Sequence, residues 1–372
     1  MRIHCCALIL FATLFGTNNT LAQEERRIAF EGADWLVLAA AEGKAETGTI
    51  DGRDALFLSR AQVWRDDLDW TDLVIEYEVM PTIESGFIGV NFRADTSGQM
   101  EQFYVRPHQS GSDDATQYQP IHNGLASWQI YGGPNDIQAT DIKAGAWLPV
   151  KIVVIGDAAD IFVGDAQAPL LHVPDLKAMS ESGAVGLFMG DRFWIKETGA
   201  WFSKIRLREA GEDDRLVGTP REEPALPEGL IRQWEVSAPF AETRLEGQHT
   251  LVQTGDAWRI LEVEPNGVAN LGRLNPVTQD ANTVLVRTVL TEDEATVRRL
   301  RFGYSDRVRL YLNGEEIFAG NAGWRSRDHR HLGTVTWVDT VPLRREAGRN
   351  ELVAAVSESF GGWGFTGAVT EP

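Results

Sequence analysis

The sequence predicts an all-β protein made of two antiparallel β-sandwich (jelly-roll) domains. The chain of 372 residues contains 36 Gly and 12 Trp, which is typical of turn-rich β-proteins. Apolar and polar residues alternate at period two over short runs. Neither long amphipathic helices nor the strand–helix–strand rhythm of a parallel sheet occurs, which leaves sandwich or barrel architectures.

Residues 1–22 have the features of a secretory signal peptide. Arg2 supplies a positive start, Ala7–Phe15 form a short apolar run, and Thr20-Leu21-Ala22 ends in the small residues that precede a cleavage site. The apolar run is too short for a bilayer, which needs about 20 residues. We therefore expect a secreted, periplasmic protein without membrane insertion.

Charge and cysteine content exclude several classes of function. The chain has 35 basic and 54 acidic side chains, a formal net charge of −19. Nucleic-acid phosphates and anionic lipids attract surfaces rich in Lys and Arg, so this balance argues against both partners. Cys5 and Cys6 lie in the leader, so the mature protein is expected to have neither a thiol nucleophile nor a thiolate metal site.

The first predicted domain spans residues 28–208 and shows the clearest alternation. A hairpin is expected around Gly156-Asp157, because this pair separates two apolar runs. The predicted strands are Leu73–Val79, Phe87–Arg93, Gln102–Arg106, Lys151–Ile155, Ala159–Val163, Ala184–Phe188 and Trp201–Leu207.

A linker is predicted at residues 209–229, where Pro, Gly and charged residues concentrate without apolar periodicity. The second domain follows at residues 230–372. Its Asn313-Gly314 pair predicts a tight hairpin turn, because both residues tolerate positive φ. Its clearest strands are Asn282–Thr288, Val297–Tyr304, Val308–Leu312 and Glu351–Val356.

Both domains resemble known superfamilies. The first is similar to the concanavalin A-like lectin/glucanase superfamily, in its laminin-G-like and 3-keto-disaccharide-hydrolase-like branches. The second resembles galactose-binding-like jelly rolls through Val308–Glu315 and Gly348–Val353. The first resemblance depends on Leu73–Val79, Gly86–Arg93, Glu101–Arg106 and Trp201–Leu207. Both imply saccharide recognition, but fold alone does not establish function.

A saccharide site is predicted in the polar and aromatic stretch from Arg93 to Tyr131. Tyr104 and Arg106 share one face of their strand and are expected to project with Arg93 onto a concave sheet. Aromatic rings stack on sugar C–H groups, and planar Arg, Asn and Gln groups bond pairs of hydroxyls. The alternative is a structural loop, Pro107–Pro120, held over the sheet. The predicted ligand-binding residues are Arg93, Tyr104, Arg106, His108, Gln109, Gln117, Tyr118, Asn123, Trp128, Gln129 and Tyr131.

The same stretch contains candidates for a glycoside-cleaving enzyme. Hydrolysis ordinarily needs two carboxyl groups across the scissile bond. Glucanases of the resembled superfamily carry them on one strand in an E-x-D-x-E-like pattern, which this sequence lacks. Glu101 and Asp113 are candidate acids and His108 is a candidate base. Glu76 and Glu78 alternate on one strand face and are more simply explained as a solvated face.

No cofactor is expected, and Ca²⁺ is the one ion that the sequence leaves open. Asp-rich turns at residues 66–69 and 157–160 offer oxygen ligands. Neither has the spacing of an EF-hand loop. A solvated acidic face is the simpler interpretation of both turns.

The second domain has a basic cluster at residues 324–331. Its arginines suit a carboxylate-bearing sugar, whereas the favoured alternative pairs Arg325 or Arg327 with Asp306 or Asp328 in a structural network. Trp363 stands among glycines, where it either stacks on a sugar or, as we favour, fills the sandwich. The candidates in this domain are Trp324, Arg325, Arg327, His329 and Trp363.

The sequence thus predicts an exported carbohydrate-binding protein with its main site on the concave face of the first sandwich. A glycoside hydrolase or lyase and a protein-interaction scaffold are the alternatives. Binding predicts that Tyr104, Arg106 and Trp128 converge on one open groove. Cleavage needs two carboxyl groups, or a carboxyl and His108, about 5–10 Å apart. A scaffold predicts a flat apolar patch.

Overall fold

The computed structural model describes residues 26–190, 198–251, 255, 257–328 and 332–371. These residues form β-strands connected by turns, with short 3₁₀ turns at Pro107–Gln109, Glu242–Leu245 and Leu271–Arg273. The predicted all-β class is confirmed. Across the described residues, no helix is long and apolar enough to cross a membrane. The predicted signal peptide lies outside them.

The chain forms two compact units that are not contiguous in sequence. The first unit is Met1–Gly124 with Tyr131–Glu222, and the second is Leu125–Ile130 with Glu223–Pro372. The boundary between residues 222 and 223 lies inside the predicted linker. The predicted domains are contiguous, so the assignment of Leu125–Ile130 to the second unit is the main difference.

The described strand pairs of the first unit are antiparallel. Its strands are β1 Arg26–Phe30, β2 Ala33–Ile50, β3 Arg53–Trp70, β4 Leu73–Pro81, β5 Phe87–Ala94, β6 Met100–Val105, β7 Thr116–His122, β9 Ile137–Gln138, β10 Leu148–Ile155, β11 Ala158–Val163, β12 Leu171–Val173, β13 Gly183–Gly190 and β14 Ala200–Glu209. The predicted hairpin at Gly156-Asp157 joins β10 to β11.

The long strand β3 takes part in both layers of the first sandwich. Residues 56–58 pair with β14, whereas residues 61–70 pair with β13. Arg60, between these two parts, has a φ of 47°, which bends the strand. The first layer therefore has the order β12-β11-β10-β4-β14-β3, and the second layer has the order β3-β13-β5-β6-β7.

Alternate apolar side chains form the core of the first unit. On β4 the odd-numbered residues from Leu73 to Val79 are buried in it, and on β13 Val185, Leu187 and Met189 are. Successive side chains of a strand point to opposite faces. The even-numbered residues of β4 therefore lie on the outer face of the first layer.

Residues 211–221, predicted as linker, are fixed to the first unit by hydrogen bonds. We call this segment the strap. Its anchoring bonds join Asp214 to Arg208 (2.6 and 2.7 Å), the amides of Val217 and Gly218 to Asp160 (2.6 and 2.9 Å), and Arg221 to Asn135 (2.7 and 3.0 Å). The strap is thus part of the first unit and not a free connection.

The strands of the second unit are β8 Leu125–Ala126, β15 Gln233–Ser237, β16 Trp258–Glu262, β17 Ala269–Asn270, β18 Thr283–Glu292, β19 Thr296–Ser305, β20 Arg307–Leu312, β21 Glu315–Asn321, β22 Asp339–Arg345, β23 Gly348–Ser357 and β24 Gly364–Thr370. Strands β15 to β24 form a six-stranded sheet, β16-β15-β18-β23-β20-β21, and a four-stranded sheet, β17-β24-β19-β22. The turn at Asn313-Gly314 joins β20 to β21, and both residues have positive φ, as predicted.

The second unit has two apolar clusters. The main one includes Trp234, Trp363 and Phe365, each buried. A smaller cluster packs Phe240 and other side chains of its segment against residues of the six-stranded sheet. That sheet therefore has apolar packing beyond the main core.

Candidate functional site

Two rows of side chains cross the outer face of the second layer, and we call them the polar rows. The strand register defines each row, since directly opposed residues share a face. The first row is Gln62, Phe188, Gly89, Tyr104 and Gln117, and the second is Trp64, Gly186, Asn91, Gln102 and Gln119.

Amide side chains of the second row bond to one another across the strands. Gln119 Nε2 donates to Gln102 Oε1 at 2.6 Å, and Gln102 Nε2 donates to Asn91 Oδ1 at 2.8 Å. All three residues are buried. Their hydrogen-bonding capacity is therefore directed largely to each other.

Glycine at position 186 makes room for an indole ring in the same row. A Cβ atom there would lie 2.5 Å from ring atoms of Trp64, so the ring extends across this position. Trp64 Nε1 donates to Gln62 Oε1 at 3.1 Å, which connects the two rows.

Tyr104, Arg106 and Gln117 come together at one end of the first row, as the shared strand face of Tyr104 and Arg106 predicts. Tyr104 Oη donates to Gln117 Oε1 at 2.6 Å, and Arg106 Nη2 donates to Tyr104 Oη at 2.8 Å and also to Gln117. The guanidinium lies 4.8 Å from the ring centre of Tyr104. All three side chains are buried, so they form a closed network.

We expect Tyr104→Phe to lower the free energy of unfolding by about 1–2 kcal/mol, because it removes the hydroxyl that bonds both Arg106 and Gln117. Urea denaturation measures the change. Gln167→Ala, on an exposed turn, is the control and should stay within about 0.5 kcal/mol of wild type. A Tyr104→Phe protein as stable as wild type would contradict the network.

The guanidinium of Arg93 donates hydrogen bonds to backbone carbonyls of the protein and not to a ligand. Its Nε donates to the Thr71 carbonyl at 2.8 Å, and its Nη2 donates to the Gly156 carbonyl at 2.6 Å. The side chain is buried. These bonds connect β5 to two turns of the sandwich, which is a structural task.

His108, Gln109 and Asn123 are half-buried. The His108 ring meets Phe87 edge-on at 5.3 Å, and Phe87 in turn meets Tyr104 at 5.9 Å. Asn123 Oδ1 accepts from Gln99 Nε2 at 3.1 Å. Among the predicted binding residues, half-buried His108 is thus connected to buried Tyr104 through the ring of Phe87.

Glu101 and Tyr118 lie on the core side of the second layer. Glu101 Oε2 accepts from Tyr118 Oη at 2.7 Å, and its Oε1 accepts from the Ala178 amide at 2.9 Å. Burial raises the pKa of Glu101 to about 7, against the lowering effect of these bonds. A raised pKa suits a general acid, but the side chain is 0% exposed. Asp113, the other candidate acid, is exposed.

Trp128 and Gln129 belong to the second unit. The Trp128 ring lies 5.9 Å from that of Phe360, and Gln129 Oε1 accepts from Ser305 Oγ at 2.7 Å. Tyr131 belongs to the first unit, where its carbonyl accepts from Gln117. The predicted binding residues are therefore divided between two units.

In the basic cluster, Arg327 has a structural role. It donates to Asp339 at 3.1 Å through Nη1 and to Tyr304 Oη at 2.8 Å through Nη2. The predicted partners, Asp306 and Asp328, are thus replaced by Asp339, which the neighbouring strand β22 supplies.

Of the other second-domain candidates, Trp363 is fully buried, and its Nε1 donates to the Val356 carbonyl at 3.1 Å. The guanidinium of Arg325 lies 4.5 Å from the ring centre of Trp324. His329 lies outside the described residues. Trp363 therefore fills the sandwich, and Trp324 with Arg325 forms a separate surface pair.

A groove of about 780 Å³ lies on the outer face of the first layer. Strands β4, β10, β11 and β14 line it, and the strap contributes further lining residues. Of these positions, the sequence predicts a solvated sheet face for Glu76 and Glu78 and a linker for residues 213–217. The side chains that matter for its chemistry are Glu76, Glu78, Lys151, Val153, Phe162, Asp165, Lys204, Arg206, Asp213, Asp214, Arg215 and Val217.

The groove contains both paired and free charges. Glu76 lies 3.7 Å from Lys151, and Glu78 accepts from Lys204 at 2.5 Å. For the described part of the chain, no hydrogen bond or ion pair engages the side chains of Arg206, Arg215, Asp165 or Asp213. This free set offers two donors and two acceptors to a ligand.

Glu78 is held as a carboxylate. Partial burial acts to raise its pKa, but the hydrogen bonds from Lys204 and Arg53 outweigh it, and the pKa lies below the usual value. Glu78 is therefore ionised at neutral pH and does not serve as a proton donor.

The described residues contain no group of three His, Cys, Asp or Glu side chains that could hold a metal ion. The first Asp-rich segment, residues 66–69, lies within strand β3 and not in a turn. Asp66 accepts from Arg27 at 2.6 and 3.0 Å, and Asp67 accepts from Arg65 at 2.7 and 2.8 Å. Arginine side chains of the protein thus pair with these two carboxylates.

No family model and no curated protein sequence matches the chain. Three solved structures illustrate its likeness to known folds. The carbohydrate-binding module CBM66 from Bacillus subtilis is 20% identical, with a TM-score of 0.31, over 47% of this chain and 91% of that chain. A protein of unknown function with a galectin-like fold, also from Bacillus subtilis, is 8% identical, with a TM-score of 0.35, over 47% and 89%. Domain 4 of the extracellular arabinanase AbnA from Geobacillus stearothermophilus is 11% identical, with a TM-score of 0.31, over 46% and 81%.

Likenesses this remote assign neither a ligand nor a reaction to the chain. The resemblance of the first domain to the concanavalin A-like superfamily therefore stays a prediction.

Proposed function

We propose that this protein is an exported saccharide-binding protein whose ligand occupies the groove of the first unit. The observation that carries the proposal is a groove of about 780 Å³ with free charged groups of both signs on its walls. This volume lies within the range of ligand sites, about 300–1,000 Å³. The signal-peptide features of residues 1–22 support export.

A neutral saccharide suits this lining. Each sugar hydroxyl both donates and accepts hydrogen bonds, so a wall with guanidinium donors and carboxylate acceptors bonds it from both sides. Arg206 and Arg215 are the donors, and Asp165 and Asp213 are the acceptors. Phe162 adds an apolar surface for the C–H faces of a ring.

The polar rows have residue types suited to sugars, but their side chains are buried and bonded to one another. A saccharide there would have to replace these hydrogen bonds, whereas in the groove it meets free groups. This contrast favours the groove over the sequence-predicted site.

Binding without cleavage is the activity that this site supports. Glycoside hydrolysis needs a protonated acid opposite a second carboxylate. Glu76 and Glu78 are the neighbouring carboxyl groups of β4 in the groove, and Glu78 is ionised by its cation partners. Glu101 has a raised pKa but is fully buried.

A glycan array on the full mature chain, with titration calorimetry on each hit and a reducing-sugar assay, tests the proposal. Arg206→Ala is expected to weaken binding about 10-fold, because a charged hydrogen bond contributes roughly 1.5 kcal/mol or more. Arg232→Ala, another exposed arginine, is the control and should bind like wild type.

Tyr104→Phe distinguishes ligand binding in the groove from ligand binding at the polar rows. It should bind like wild type if the ligand lies in the groove. Lost affinity in Tyr104→Phe with unchanged affinity in Arg206→Ala would contradict the groove and indicate that the ligand binds at the polar rows. Release of reducing sugar would show that the protein cleaves the saccharide and would contradict binding alone. The absence of any binding on a broad glycan array would contradict the proposed saccharide function.

A further inference from the structure

Strand β19 in the four-stranded sheet of the second unit has an exposed, arginine-rich side. Val297, Arg299 and Arg301 are exposed and alternate with Leu300 and Phe302, which are buried. On the neighbouring strand β22, Arg344 is exposed opposite Val297. We call Arg299, Arg301 and Arg344 the arginine face.

The three arginines are close together. Arg299 and Arg301 are two residues apart on one strand, about 6.7 Å along it. Arg344 pairs with Val297, so it lies diagonally beside Arg299 on a strand about 4.8 Å away. Three positive charges are thus presented on one side of two adjacent strands.

None of these three side chains has a hydrogen bond or ion pair with any described residue. The outward positions beside them carry Thr340, Pro342 and Thr370 and not an acid. By contrast, Arg298 and Arg345 on the same strands both pair with Glu292. The positive charge is therefore uncompensated here, in a chain of net charge −19, and like charges at this spacing repel.

Trp337 lies at one end of the arginine face. A Cβ atom at Gly303 would be 1.9 Å from the Thr336 carbonyl oxygen, so the segment that carries Trp337 crosses the sheet at that point. The Arg301 guanidinium lies 6.0 Å from the centre of the Trp337 ring. An aromatic ring therefore stands next to the row of guanidiniums.

We propose that the arginine face binds a carboxylated polysaccharide, a chain of uronic acids. Planar guanidiniums pair with carboxylates through two parallel hydrogen bonds, and a repeating carboxylate can meet successive arginines. Trp337 offers a ring for stacking on a sugar. The proposal depends on the proposed function only in taking a saccharide as the carrier of the carboxylates, because the groove in the first unit is a separate site.

Titration calorimetry of the full chain with tetragalacturonate, in 50 mM and 300 mM salt, tests this. Galactotetraose serves as the neutral control ligand. We expect tetragalacturonate to bind, to bind about 10-fold more weakly in the higher salt, and galactotetraose not to bind at this face.

The double variant Arg299→Gln/Arg301→Gln should weaken tetragalacturonate binding at least 10-fold, and Trp337→Ala should weaken it several-fold. Arg232→Gln is the charge-matched control, and Arg206→Ala reports on the groove; both should retain binding of tetragalacturonate. Circular dichroism and thermal melting verify that each variant is folded.

Three results would overturn the proposal: no binding by wild type, unchanged binding in the double variant, or binding of galactotetraose that the double variant weakens and Arg206→Ala leaves unchanged. Duplex DNA or phosphatidylserine vesicles binding as tightly as tetragalacturonate would also overturn it, because the face would then attract anions of any class. Loss of tetragalacturonate binding only in Arg206→Ala would assign the ligand to the groove and leave the arginine face without one.

Discussion

Trp363→Ala is expected to lower the free energy of unfolding of the second unit by about 3–5 kcal/mol, the usual cost of removing a large buried aromatic side chain. The indole is fully buried in the main core of that unit. The substitution leaves a cavity and deprives the Val356 carbonyl of its 3.1 Å partner.

Guanidinium denaturation, with hydrogen exchange followed on strands of the second unit, measures this effect. Trp363→Phe should recover part of the stability, since it restores much of the volume but not the hydrogen bond. Trp324→Ala, a half-buried indole, is the matched control and should cost about 1 kcal/mol or less. Weaker saccharide binding in Trp363→Ala without loss of stability would instead support the stacking role.

Glu101 should make the protein less stable as the pH rises from 5 to 8. Its pKa is about 7 in the folded protein, against a usual value of 4.5. Between these values the folded state keeps a proton that the unfolded chain has lost, so stability falls with pH. A difference of this size corresponds to about 3 kcal/mol at pH 8.

Glu101→Gln replaces the titrating carboxyl group by a neutral amide, so the variant should lack that part of the pH dependence. We expect it to lie within about 1 kcal/mol of wild type at pH 5 and to be the more stable protein at pH 8. Urea denaturation at pH 5, 6, 7 and 8 gives both curves. Tyr118→Phe deletes a bond that lowers the pKa of Glu101 in the folded protein, so its decline should begin at the same pH but continue to higher pH. Parallel curves for wild type and Glu101→Gln would refute the assignment.

Strands that alternate cleanly could be predicted from the sequence. The run at Leu73–Val79 is the centre of β4, and its alternation also identifies the buried side. The sequence pattern does not predict strands β2 and β3, although each has 18 residues. On β3 the core side chains change from Leu56 and Leu58 to Ala61 and Val63 across the bend at Arg60, and a bend of this kind interrupts the period-two pattern.

The candidate site could be predicted only in part, for a different reason. Alternation places Tyr104 and Arg106 on one face, and the structure brings them together. Alternation does not indicate whether a face is covered, so the burial of both residues was not predictable. The groove depends on the strap, whose Asp214 and Val217 line it. Only long-range pairing, as between Val217 and Asp160, reveals that a Pro- and Gly-rich segment is anchored.

The segment Leu125–Ile130 has a consequence for how the chain folds during synthesis. Leu125 lies in the main core of the second unit, and Gln129 bonds to Ser305 within that unit. The ribosome releases this segment before any residue of Glu223–Pro372, so its partners do not yet exist. Domains generally fold as units, the N-terminal one first. Here the second unit cannot be completed from its contiguous sequence alone, and a fragment starting at Glu223 would lack one side chain of its own core.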